Sequence, residues 1–124
     1  MILADTSIWV ELFRTGKFKT EMANLIANDQ LCIHPFIVGE LACGSLPDRR
    51  KTLVYLDRLN PLPVVRLADV RTMIESRGLW AKGIGLTDAQ LIASCLASMG
   101  TQIWTVDRAL GRVAESLGIR ARLP

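Results

Sequence analysis

At 124 residues the chain has the length of one domain, residues 1–124, with no linker and with enough chain to enclose a core. Half of it is apolar and 22% is charged, a globular balance that leaves no polar or repetitive stretch for disorder. The formal charge of +3 permits a polyanionic partner without requiring one, and no apolar run approaches the roughly 18 residues of a membrane span.

Short apolar runs alternate with helical patterns along the chain. The opening Ile2-Leu3-Ala4 reads as a strand that meets Asp5 at once, without the cationic start of a leader, so a soluble, cytoplasmic protein is expected. Helical periodicity follows over residues 7–14 and 19–28, then a second strand at Leu31-Cys32-Ile33 and a helix over 35–43 with Pro35 in its first turn. Helices over 49–59 and 68–80 bracket a third strand at Pro63-Val64-Val65. A helix over 88–99 leads to a strand at Ile103-Trp104-Thr105-Val106, a helix over 108–117 and a weaker run at Ile119-Arg120-Ala121. Gly100 and Gly118 stand where helix ends take glycine. Strands alternating with helices in this way predict an α/β fold, a three-layer α/β/α sandwich with a central parallel sheet.

Sites on such folds gather outside the carboxyl ends of the strands. Asp5 follows the first strand and Asp107 the fourth, so the two acids should meet at one end of the sheet. The ordinary explanation of either alone is a helix N-cap. Glu40 lies in Pro35-Phe36-Ile37-Val38-Gly39-Glu40-Leu41-Ala42-Cys43, where almost nothing else is polar. A carboxylate taken out of water there needs a salt bridge or a metal ion. Asp88 could be a first-turn acid favoured by the helix dipole, but Thr87 and Gln90 have the spacing of a capping box and relieve it of that duty. Four crowded carboxylates repel unless a divalent cation neutralises them, and hard oxygen ligands favour magnesium or manganese.

These pieces, taken in order, resemble the PIN-domain ribonucleases, in particular the toxins of bacterial VapBC toxin–antitoxin pairs. The resemblance runs the whole length: Ile2-Leu3-Ala4-Asp5-Thr6-Ser7, the helical Glu40, Thr87-Asp88-Ala89-Gln90-Leu91-Ile92-Ala93, and Thr105-Val106-Asp107. It implies that Asp5, Glu40, Asp88 and Asp107 are the catalytic, metal-binding acids, and that Thr6, Ser7 and Thr105 orient them or hold a bound water. It further implies a magnesium-dependent endoribonuclease, with manganese able to substitute, that leaves a 5′-phosphate, works as a homodimer and is inhibited by a cognate antitoxin in its active-site groove. The alternative is a non-catalytic RNA- or protein-binding module of the same fold, whose mark would be a missing acid.

Other chemistries fit less well. His34 is the only histidine, which excludes a mechanism with paired imidazoles and leaves it a structural or surface residue. Gly83-Ile84-Gly85 lacks the third glycine and the Lys-Ser/Thr of a phosphate loop. Ser7 stands where an aspartyl-phosphate enzyme of the haloacid dehalogenase type has its second acid. Cys32, Cys43 and Cys95 are odd in number and set in apolar surroundings, so buried free thiols are expected. Arg77, Lys82 and Arg108 are the candidates for RNA backbone contacts because they lie near the segments of Asp88 and Asp107. Trp9 and Trp104 read as core or subunit contacts.

Overall fold

The computed structural model describes residues 1–124. Four parallel strands form one sheet: β1 (Ile2–Ala4), β2 (Leu31–Ile33), β3 (Asn60–Pro61) and β4 (Gln102–Trp104), in the order β3-β2-β1-β4. Seven helices complete a three-layer α/β/α sandwich: α1 (Thr6–Thr15), α2 (Lys19–Ala27), α3 (Pro35–Ala42), α4 (Arg49–Asp57), α5 (Leu67–Arg77), α6 (Leu86–Ala97) and α7 (Arg108–Ser116). No helix is long and apolar enough to cross a membrane.

The central strands are covered on both faces, which is why they read as unbroken apolar runs. Leu3, Ile103 and Trp104 lie in the main core with Ile8, Ile37 and Ile92 from the helices. Each such side chain contributes about 1.5–3 kcal/mol by leaving water. Helix α6 is buried from Ala89 through Cys95, so it runs through the interior rather than along the surface.

Two strand expectations change. The third strand lies at Asn60–Pro61, not at 63–65, because Pro63 has no N–H for a ladder and the backbone of Val65 is bound elsewhere. Residue Val65 instead has both backbone groups bound by one side chain: its N–H donates to Gln90 Oε1 at 2.7 Å and its carbonyl accepts from Gln90 Nε2 at 2.8 Å. The run at 119–121 shrinks to a single bridge, Arg120 against Ile103, on the outer side of β4.

Gln90 is therefore no capping residue. Helix α6 starts two residues earlier than expected, at Leu86, with the extended Gly85 as its cap. Asp88 rather than Gln90 takes the third helical position, and its Oδ2 accepts from the Gly85 N–H at 3.5 Å. Helix α5 stops at Arg77 because Gly78 turns left-handed at φ 64°.

His34 is fully buried and structural. Its Nδ1 accepts from the Phe36 N–H at 3.0 Å, which puts the ring proton on Nε2, facing Ser94 Oγ at 2.9 Å. Ser94 in turn donates to the Pro63 carbonyl at 2.8 Å. Burial holds the His34 pKa below its ordinary value. Cys32 and Cys95 are buried thiols, pushed up by burial to about 11 and about 12, but Cys43 is exposed just beyond α3, where that helix leaves the core.

Candidate active site

Register brings the ends of the central strands together. Ala4 pairs with Trp104, so Asp5 stands beside Thr105, and the Asp5 N–H donates to the Trp104 carbonyl at 3.0 Å. The strand ends at Trp104 rather than at Val106, so the residue equivalent to Asp5 is Thr105. Asp107 sits two positions farther out.

Asp5 is 5% exposed and caps α1: its Oδ1 accepts from the Ile8 N–H at 3.2 Å and the Ser7 hydroxyl at 2.5 Å. Its Oδ2 accepts from the Thr105 hydroxyl at 2.5 Å. Burial pushes its carboxyl above the usual value; the hydrogen bonds from Ser7, Thr105 and Ile8 oppose this, while the charge of Asp88 adds to it. The same hydroxyls serve the next loop, since the Val106 N–H donates to Ser7 Oγ at 3.2 Å and the Asp107 N–H to Thr105 Oγ1 at 3.0 Å. Asp107 caps α7 through Oδ1, which accepts from the Leu110 N–H at 2.9 Å, and Oδ2 carries no bond within the protein. The N-cap explanation of Asp5 and Asp107 is thus correct as far as it goes, but it uses only part of each carboxylate.

Glu40 differs from expectation. It is exposed, not sunk in the apolar side of α3, because that helix buries Ile37 and Leu41 and turns Glu40 outward. The carboxylate reaches the site through Thr6, whose hydroxyl donates to Oε1 at 2.6 Å. Asp88 is half-buried, and burial raises its pKa, with the charges of Asp107 and Glu40 adding to the rise. Thr105 bonds both Asp5 Oδ2 and the Asp107 N–H, and Thr6, next to Asp5, donates to Glu40, so these three acids share one end of the sheet; Asp88 feels the charges of Asp107 and Glu40 from the start of α6. None has a cationic partner, since the ion pair in the structure is Arg66–Asp69, both exposed.

The donor set, oxygens only and without an internal counter-charge, is of the chemical type that a hard divalent cation takes. No three His, Cys, Asp or Glu side chains lie close enough together to hold an ion, so the acids as placed would have to draw together or act through bound water to take one. A depression of about 720 Å³ runs along α5 alone and is lined by none of the four acids. Walls from a single helix make it a surface groove rather than a site.

Arg77, Lys82 and Arg108 are all exposed. Arg77 and Lys82 line a depression of about 390 Å³ together with Arg112, which the sequence reading missed. Its signal was there: Arg112 lies one turn after Arg108 on α7. Arg108 stays outside that depression, beside Asp107.

A family profile described as PIN domain matches residues 2–116. The chain belongs to the PIN-domain family, in its VapC-type branch of ribonucleases. It is 34% identical over 119 residues to Ribonuclease VapC32 of Mycobacterium tuberculosis, both in strain CDC 1551 / Oshkosh and in strain ATCC 25618 / H37Rv. These alignments cover 96% of this chain and 94% of each relative.

Proposed function

We propose that the chain is a metal-dependent endoribonuclease, the toxin of a toxin–antitoxin pair, that hydrolyses RNA phosphodiester bonds at the Asp5, Glu40, Asp88 and Asp107 cluster. What supports this reading is a set of acids gathered at one end of the sheet by the Thr6 and Thr105 hydroxyls, with no cation paired to them, in a chain whose relatives are named ribonucleases. Those four acids would hold magnesium or manganese, which when bound supplies an activated water and charge stabilisation at the phosphate.

The chain's own groups have separable duties in this scheme. Ser7 and Thr105 fix Asp5 in one orientation, and Thr6 steadies Glu40. Asp88 Oδ1 and Asp107 Oδ2 accept no hydrogen bond within the protein, so either carboxylate can take the proton of the attacking water. Family membership supports a cognate antitoxin as inhibitor, a homodimer as the working state, and a cytoplasmic site of action.

The test is cleavage of single-stranded RNA by the purified protein in magnesium or manganese and again in EDTA, with Asp5→Asn as the inactive control. Cleavage in the metal and silence in the chelator are expected. Activity that survives complete chelation overturns the mechanism.

A further inference from the structure

Trp80 is the most exposed aromatic side chain of the protein, at 59%. It stands in the loop of residues 78–85 that joins α5 to α6, and that loop is held rather than slack. Ala81 is left-handed at φ 58° and Gly83 at φ 83°. A Cβ at Gly83 would come within 3.2 Å of Ala109 Cβ, so the loop lies directly against α7. The strain at Ala81 is of the kind that persists only where surrounding contacts fix the backbone.

The indole borders the basic depression from outside, lining an adjoining apolar hollow of about 210 Å³ that shares Leu79 with it. A Cβ on Gly78 would lie 3.8 Å from the Trp80 ring, and Gly78 itself lines the depression with Arg77, Lys82 and Arg112. No acid lines it, and none of the three cations has an ion-pair partner. From Asp107 to Arg112 the distance along the helix axis is about 7.5 Å at 1.5 Å per residue. Five residues also turn Arg112 by about 140° around α7 from Asp107, so the depression is joined to the carboxylates through shared elements, α7 that Asp107 caps and the loop that leads into Asp88, rather than by direct contact.

An exposed π face beside clustered, unpaired cations is the pattern that single-stranded nucleic acid requires: bases stack and phosphates are neutralised. A protein partner would have to bring an acid for each of the three neighbouring cations, since burying a charge without a partner is costly. We propose that Trp80 is a base-stacking platform, and that Arg77, Lys82 and Arg112 hold the adjoining phosphates of single-stranded RNA next to the cleavage site. The proposal rests on the reading of the chain as a ribonuclease and adds to it where the strand lies.

The experiment is binding of a short, fluorescently labelled single-stranded oligoribonucleotide in EDTA, where cleavage is silent, followed by the anisotropy of the label in every variant and by tryptophan fluorescence in the wild type. Trp9 and Trp104 are buried, so quenching on binding reports Trp80. Trp80→Ala should weaken binding about five- to a hundredfold, the range for one base stacked on an aromatic ring, whereas Trp80→Phe should retain most of it. Arg77→Ala and Arg112→Ala should each lower the slope of log K against log salt by about 0.7 while leaving magnesium affinity unchanged. Unchanged affinity in Trp80→Ala overturns the proposal, and a simultaneous change in oligomeric mass would assign the patch to a protein contact. Cleavage by the wild type in magnesium with binding indifferent to Trp80 sinks this inference alone. Quenched binding without cleavage sinks the ribonuclease reading and leaves the platform standing.

Discussion

The Thr105 hydroxyl donates to Asp5 Oδ2 at 2.5 Å although the two residues stand 100 positions apart. Strand register produces this bond, and the same Thr105 oxygen accepts the Asp107 N–H. One hydroxyl thus couples two of the four acids. Thr105→Val keeps the shape but removes the donor to Asp5 and the acceptor for Asp107, and should cost about 1–3 kcal/mol. It should also raise the Asp5 pKa further, since this bond is among those that lower it. Urea unfolding checks the first effect and carboxyl titration by NMR the second. Thr105→Ser should restore both, and a Thr105→Val protein of wild-type stability would show that the bond carries no net weight.

The acids should respond to loss of charge as a repelling group. In EDTA, Asp88→Asn removes a carboxylate that burial and the charges of Asp107 and Glu40 already disfavour, so stability should rise, by up to about 1 kcal/mol for partly exposed charges. Glu40→Gln should lie within about 0.5 kcal/mol of wild type, because Glu40 is exposed and the Thr6 hydroxyl can donate equally to an amide oxygen. Both should abolish cleavage. Magnesium should raise the wild-type melting temperature by linkage and do so much less in the variants. A loss of about 3–5 kcal/mol in Glu40→Gln would mean a stranded cation and would remove Glu40 from the cluster.

His34 should make the fold acid-sensitive. Its folded pKa lies below the unfolded value of 6.5, so the unfolded chain binds the extra proton between those two pH values. Stability from the neutral ring is complete above 6.5 and is lost as pH falls through the folded pKa, at a slope of at most about 1.4 kcal/mol per pH unit. Asp5 and Asp88, both raised, act in the opposite sense: their contribution is complete below 3.8 and lost as pH rises through their folded values. The His34 share is therefore the difference between wild type and His34→Gln, whose stability should fall less steeply from neutral pH to pH 5. With a single histidine in the chain, its imidazole NMR signal reports the folded pKa directly. A value at or above 6.5 would refute the account.

What was legible in the sequence was local. Ile2-Leu3-Ala4 and Leu31-Cys32-Ile33 could be read as strands because both faces of each are buried, and Pro35 and Gly118 mark helix ends by their own backbone preferences, whereas Gly78 ends α5 short of the expected residue 80. The positions of Asp5 and Asp107 beyond two parallel strands followed from the same pattern. What could not be read depended on partners distant in sequence. Gln90 fits a capping box by spacing, but its partner is the Val65 backbone, 25 residues away. Glu40 looks sunken on an apolar helix, yet its exposure depends on which way α3 is rotated against the core. Arg112 was hidden because its neighbours in the depression come from the end of α5 and the loop beyond it.

The sheet ends on one side at β3, two residues long, where Pro61 has no N–H to offer and the chain beyond is sealed by the Gln90 amide. On the other side, Arg120 bridges to β4 and closes that border. A border so short and so depleted of donors gives another chain nothing to add a strand to. Sheet extension is thus a poor route to self-association for this protein, and pairing through helical surfaces would let two copies separate again without unravelling the sheet.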